Sequence, residues 1–353
     1  QPAKTPALEF SGIFYANWAY RTDRDARAQN RFDLERAYLT FRMPVGERAR
    51  VRVTADVYQN TSDAGDDFYR GWAFRAKYAY LQYDAVRDWH GFTTRARLGM
   101  LQTVVIDQIE GFWPRWISKS ALELAGFFLT ADLGIAAEVG LPNQLGEIYA
   151  TVTNGPGYTS RETDRFKDAA MRLTLTPLAR TSGFFQSTGV TLWGYKGAVA
   201  SRFVNGGVGQ VGAVGEGLQR DRWGAFIGTG NRRLTLGAEI AQRIEEGELG
   251  NNTPVSPRAV IDSTSTLVSA FAIVRPLELI APETRSPLAA VARYDRARLN
   301  DDAGPATRLI IAGLIWDVNS RLSMAADYQQ LLPRDGALGS DTKTWFAHFV
   351  ASF

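Results

Sequence analysis

The chain reads as all-β: a single domain, 1–353, forming a 16-stranded antiparallel transmembrane β-barrel with an inward-folded constriction loop at 102–127. Three observations predict this. Period-two alternation of apolar and polar residues recurs in sixteen segments, nearly all as long as the ~9–11 residues that carry a strand across a bilayer. The connections sort by length, short after even strands and mostly longer after odd ones, as in barrels with tight turns at one end and loops at the other. The final run, TWFAHFVASF, puts Trp345, Ala347, Phe349, Ala351 and Phe353 on one face.

The first run is 8–20. The second, 32–44, sets Ala37, Leu39, Phe41 and Met43 against Arg36, Tyr38, Thr40 and Arg42. The third, 48–58, sets Ala49, Val51, Val53, Ala55 and Val57 against Arg50, Arg52, Thr54 and Asp56. The fourth, 72–84, places Phe74, Ala76, Tyr78 and Tyr80 opposite Arg75 and Lys77. The fifth, 93–101, places Ala96, Leu98 and Met100 opposite Arg95, Arg97 and Gly99. The sixth, 128–141, is apolar from Leu129 to Val139 in steps of two, with Asp132 and Glu138 opposite. Then follow 146–154, 166–176, 221–228, 233–243, 287–298, 306–317, 321–330 and 343–353. The ninth run (186–197) leaves its register open, and the twelfth (264–275) does not declare which side is which.

Composition supports the reading by exclusion. There is no cysteine, which removes disulfides and thiol chemistry. Only His90 and His348 are present, so neither a metal nor a cofactor is expected. A net charge of +3 over 353 residues leaves no nucleic-acid footprint. No run approaches the ~20 apolar residues of a membrane helix. The mean hydropathy of −0.19 fits a barrel, in which only alternate residues meet lipid. The opening QPAKTPALEF reads as a mature terminus left by signal-peptide cleavage.

If the apolar faces meet lipid, the polar faces line the lumen, where charges stay solvated. Arg36, Arg42, Arg50, Arg52, Arg75, Lys77, Arg95 and Arg97 then form a basic wall on four neighbouring strands. A wall of one sign concentrates counter-ions. The loop, LQTVVIDQIEGFWPRWISKSALELAGFF at 101–128, would bring Asp107 and Glu110, or Arg115 and Lys119, towards it. Its many apolar residues imply that it packs against something, within its own barrel or over a neighbouring subunit. Partial helix is expected at 117–125.

ARLGML (96–101), TADLGIAAEVG (130–140), IYATVTNGPGY (148–158), LAAVARYDRARLN (288–300) and GLIWDVNSRLSMAADYQQ (313–330) resemble the phosphate-selective porin O/P family. The resemblance implies a homotrimeric outer-membrane channel of Gram-negative bacteria with an arginine-lined pore. Phosphate-selective members carry lysines in the constriction loop, whereas this loop has Asp107 and Glu110 with Lys119 alone. The expectation is therefore passive diffusion of ions and small hydrophilic solutes with mild anion preference. A phosphate-specific channel, or a structural or adhesive barrel plugged by its own loops, is the alternative. Phe353 resembles the terminal signal read by barrel-assembly machinery, and the partners expected are that machinery and outer-membrane lipid.

Other signals carry less. GVGQVG at 207–212 has dinucleotide-binding spacing but no following helical period, so a Gly-rich loop is expected. No catalytic motif is present, and His348 has no serine partner in prospect; no enzyme activity is expected. EEGE at 245–248 and NDDAG at 300–304 read as solvated loop tips.

Overall fold

The computed structural model describes residues 7–23, 30–60, 71–201, 203–204, 207–208, 217–250, 255–256, 259–300, 306–332 and 341–353. The strands are β1 (Glu9–Arg21), β2 (Asn30–Pro44), β3 (Ala49–Asn60), β4 (Gly71–Trp89), β5 (Phe92–Gln102), β6 (Ala131–Gly140), β7 (Gly146–Thr153), β8 (Asp168–Leu175) and β9 (Gly189–Ala200). The two-residue β10 (Phe203–Val204) and β11 (Gly207–Val208) pair only with each other. Then come β12 (Gly217–Gly230), β13 (Leu234–Leu249), β14 (Ala259–Val274), β15 (Leu288–Leu299), β16 (Thr307–Asp317), β17 (Leu322–Leu332) and β18 (Thr342–Ser352). Apart from β10 and β11, every strand pairs antiparallel with its sequence neighbours, and β18 returns to β1, closing a barrel of sixteen strands. No helix among the described residues is long and apolar enough to cross a membrane.

All sixteen expected strands are present, and the differences lie at their ends. β4 runs through the expected 85–91 turn to Trp89. Only His90 (φ 52°) and Gly91 (φ 85°) then make the turn, a two-residue hairpin with both central residues left-handed. β13 and β14 are paired as far as Leu249 and Ala259, so 245–248 is strand rather than loop tip. The expected loop stretches 24–29, 61–70, 251–254, 301–305 and 333–340, and positions 209–212 of the Gly-rich run, lie outside the described residues.

The outward face is apolar around the barrel. Phe14, Val53, Leu81, Leu98, Ile135, Met171, Ile240, Val268 and Leu314 are all exposed, a surface far too large and continuous for water. Phe10, Phe41, Trp316 and Phe353 stand near its turn end, and Tyr20, Trp72, Trp223 and Trp345 towards its loop end.

One face assignment is corrected. In the β3–β4 ladder Thr54 pairs with Tyr78 but Ala55 pairs with Ala76, so Lys77 is the extra residue of a β-bulge. The bulge shifts the alternation. Tyr78 and Tyr80, expected outside, turn inward, where Tyr80 is buried and the Arg52 guanidinium stacks 4.6 Å from the Tyr78 ring centre.

The closing seam has its own fit. Gly12 and Phe353 exchange backbone hydrogen bonds of 2.9 and 3.0 Å. The Phe353 ring lies directly over Gly12, where an added Cβ would come within 2.2 Å of it.

The inner face is not polar throughout, as alternation alone suggests. Phe226, Ala241, Leu267, Phe271, Val291, Ile311 and Ile315 alternate with the outward residues of β12–β16, yet all are buried. The segment between β5 and β6 covers them.

Candidate functional site

That segment contains two short helices, α1 (Ile106–Glu110) and α2 (Ala121–Leu124). α2 starts where Ser120 Oγ accepts a hydrogen bond from Glu123 N at 3.3 Å, the Ser-x-x-Glu capping spacing, and so begins later than the expected 117. Between the helices, Trp113 Nε1 donates to Ser118 O at 2.7 Å and closes a tight turn.

Its contacts trace a path along the inner wall of its own barrel and back. Outbound, Arg172 of β8 donates to Val104 O at 2.6 Å. Phe112 meets Phe226 of β12, Trp113 meets Phe271 of β14, and Trp116 reaches His348 of β18. On the return, Gln329 of β17 donates to Ile117 O at 3.1 Å and Arg293 of β15 to Lys119 O at 2.6 Å. Arg243 of β13 donates to Gly126 O at 2.9 Å and Arg222 of β12 to Phe127 O, and Phe128 packs on Trp193 of β9. One apolar cluster of 24 buried residues, ten of them from 104–128, joins segment and wall. The segment packs against the inner wall of its own barrel.

Arg172, Arg222, Arg243, Arg293 and Gln329 thus act as pegs for segment carbonyls, a role that the sequence reading missed. Irregular backbone inside a barrel exposes carbonyls that need donors. Inward-facing arginines on β8–β15, read beside the apolar segment, were the available signal.

The eight expected wall bases all lie on the inward face of β2–β5, but they are not alike. Asp56 is fully buried between Arg75 (2.9 Å) and Arg36 (3.9 Å). Glu138 of β6 binds both Arg95 and Arg97, the latter at 2.6 Å, and Arg50 pairs with Asp84 at 2.8 Å. Lys77 is 4% exposed, with its ammonium 4.0 Å from the Tyr38 ring centre, so it is sealed from the lumen. Arg42 and Arg52 have no carboxylate within 4 Å among the described residues; Arg52 donates to Thr54 Oγ1 at 3.2 Å. The wall's unbalanced charge therefore concentrates at Arg52 and the half-exposed Arg50 and Arg95, whereas Arg42 stands opposite Glu9 in the β1–β2 ladder.

The loop residues divide similarly. Asp107 pairs with Arg172 of β8 at 3.1 Å. Arg115 lies between Glu110 and Glu123, with Lys119 3.9 Å from Glu123. Burial disfavours the Arg115 charge, but Glu110 and Glu123 more than offset it and hold it ionised. Burial also pushes Glu123 up, and the hydrogen bond and charge of Arg115 reverse that, leaving its carboxyl below the usual glutamate range. Glu110, Arg115, Lys119 and Glu123 therefore neutralise one another. At the tip, His348 Nε2 lies 2.8 Å from Asp327, both buried, under Trp116. Among the described residues no group of three or more His, Cys, Asp or Glu side chains could hold a metal ion.

The sequence matches no protein-family model and no curated protein. Solved structures do resemble it. An anion-selective porin from Comamonas acidovorans superposes with a TM-score of 0.65 at 10% identity, over 99% of this chain and 100% of that one. Salmonella typhi OmpF, in complex with daunomycin, gives 0.61 at 12% identity over 98% and 97%. An in-vitro folded Vibrio cholerae OmpT, described as a trimer form of an outer membrane protein, gives 0.57 at 10% over 99% and 100%. At these identities the likeness establishes the fold, which is that of the porins.

Proposed function

We propose that this chain is an outer-membrane channel through which ions and small hydrophilic solutes diffuse passively, with a mild preference for anions, and that it works as a homotrimer. The observation that carries the reading is the asymmetry of the inner wall. Cationic Arg42 and Arg52, without a carboxylate within 4 Å among the described residues, share the inward face of β2–β5 with the partly neutralised arginines, Arg42 having Glu9 opposite it in the ladder. The segment facing that wall carries Glu110, Arg115, Lys119 and Glu123 in mutual balance. A lumen so lined offers excess positive potential on one side and no fixed binding site, which suits selective diffusion better than tight capture. The 103–130 segment, pegged along the opposite wall, narrows the remaining passage. The apolar outer face supports a membrane location, and the porin fold, including one relative solved as a trimer, supports channel and trimer. Phe353, hydrogen-bonded at the seam, is the residue we assign to recognition by assembly machinery.

The extent of the buried cluster between segment and wall favours a second reading, a barrel plugged by that segment. Planar-bilayer recordings under a salt gradient separate the two. Stepwise, anion-biased conductance supports the channel; stable insertion without steps refutes it and leaves the plug. Arg42→Glu with Arg52→Glu is expected to shift the zero-current potential towards cation preference. Arg50→Glu with Arg52→Glu should do so too, since reversing Arg50 removes the same charge and leaves Asp84 without its partner.

A further inference from the structure

The outward face carries a cluster of arginines that neither the lumen nor the seam uses. On β15 the inward residues Arg293 and Asp295 are buried, so Arg296 and Arg298 project outward, on the face of the apolar band. On β16 Arg308 projects the same way, and the register places Arg308 directly opposite Arg296. Like charges on directly opposed residues of neighbouring strands repel. Arg296, Arg298 and Arg308 have no ion-pair partner among the described residues, and the Arg298 Nε–H is buried without an acceptor.

Their height is informative. Along the outward row of β16, Arg308 is eight residues from Trp316, which stands at the turn end. At ~3.3 Å per residue and a tilt of ~40°, that is about 20 Å along the barrel normal. Arg298 is ten residues from Leu288, the first residue of β15, or about 25 Å. These are the dimensions of the lipid-facing band itself, so the three guanidiniums sit at its loop-end rim. Immediately below and beside them are Tyr294, Ile310, Val268 and Leu332, with the polar Thr266 directly opposite Arg298 and Gln330 opposite Ile310. Asp262, the next carboxylate up the outward row of β14, stands four residues beyond Thr266, the partner of Arg298.

We infer that Arg296, Arg298 and Arg308 form a docking site for the phosphorylated headgroup of a lipid in the outer leaflet, its acyl chains lying on the apolar face below. A phosphate between Arg296 and Arg308 turns a repulsive cross-strand pair into two charge-assisted hydrogen-bonded contacts, with the charge of Arg298 two residues along the same outward row. The inference rests on the membrane reading above, but not on whether the lumen conducts.

The test uses the full-length barrel purified in detergent. Its thermal unfolding and lipid retention by native mass spectrometry are measured with three probes: a bisphosphorylated diglucosamine lipid, the same lipid dephosphorylated, and inorganic phosphate. The bisphosphorylated lipid is expected to raise the unfolding temperature and remain bound. Arg296→Gln with Arg308→Gln should weaken retention about tenfold or more, the scale for removing two charges at an anionic lipid surface. Arg298→Gln provides an independent variant should the double substitution not fold. Equal binding of the dephosphorylated lipid, an equal effect of inorganic phosphate, or undiminished retention by either folded variant would overturn the proposal. A parent barrel that conducts in bilayers yet ignores all three probes would sink this inference alone and leave the channel standing.

Discussion

Replacing Arg293 by leucine tests whether inward arginines hold the segment in place. The Arg293 side chain is 2% exposed. Its Nη1 donates to Lys119 O at 2.6 Å, its Nε and Nη2 grip Asp295 at 2.8 and 2.6 Å, and its guanidinium lies 4.8 Å from the Trp113 ring centre. Leucine fills part of the volume but strands Asp295, which keeps only Ser269 Oγ at 2.7 Å, and leaves the Lys119 carbonyl without its donor. Breaking a buried ion pair on one side costs ~3–5 kcal/mol. Because the barrel ladder is untouched, that cost falls on local seating of the segment. The assay is hydrogen exchange at Leu124, Ala125 and Phe127, whose amides bond within the segment to Ser120, Ala121 and Leu122. Exchange there should quicken roughly 10²- to 10⁴-fold, as 3–5 kcal/mol converts at ~1.36 kcal/mol per decade. Arg293→Leu with Asp295→Leu should recover most of the loss, since neither charge is then stranded. Exchange within ~3-fold of the parent in the single variant, with the barrel still folded, would refute the pegging role.

Three further outcomes follow from the same geometry. Gly237 lies under the ring of Phe271, where a Cβ would come within 2.2 Å, and Phe271 is itself fixed between Trp113 and Phe226. Gly237→Ala should therefore cost ~1–3 kcal/mol in thermal or denaturant unfolding, whereas Gly12→Ala, under the more exposed Phe353 ring, should cost less; the reverse order would contradict the packing. Arg115→Met leaves Glu110 and Glu123 without their shared cation, so ion selectivity in bilayers should move towards cations; unchanged selectivity would place the trio away from the conducting path. Glu123 has a folded pKa below its unfolded value, so its stabilisation is full above the ordinary glutamate range, ~4.3, and is lost as pH falls through the folded value. Current noise from a loosened segment should rise only below that range, and Glu123→Gln should show it already at neutral pH.

The strands were legible because fifteen of the sixteen barrel junctions simply join neighbours in sequence, so local period-two patterning and turn positions almost determine the ladder. Patterning was silent where it had to be. The runs that refused to declare a face correspond to β9 and β14, and there the structure puts apolar side chains on both sides. Leu192 and Val268 project outward, while Trp193, Leu267 and Phe271 pack under the segment. A strand between two apolar media loses the contrast that alternation reads. Tyr78 and Tyr80 failed for a different reason, since a one-residue bulge inverts every later face and leaves no mark in composition.

The arginines show where local reading stops. Arg52 and Arg293 have the same pattern in sequence, an inward base on an alternating strand, yet Arg52 is only half-buried, against Thr54 and Tyr78, and Arg293 is sealed beneath a segment 174 residues away. Arg296 differs from Arg293 by three positions, and that odd step alone moves it from peg to outer surface. What an inward arginine does depends on what the barrel brings opposite it: a carboxylate, as Asp56 for Arg75; a segment carbonyl, as Lys119 O for Arg293; or neither, as for Arg52, which lies between Arg42 and Tyr80. Parity along a strand can be counted from sequence, whereas the opposing partner follows from closure and from the course of 103–130. Charge counted along the wall therefore overstates the field, and the arginines left without an acid partner are the ones through which selectivity should be altered first.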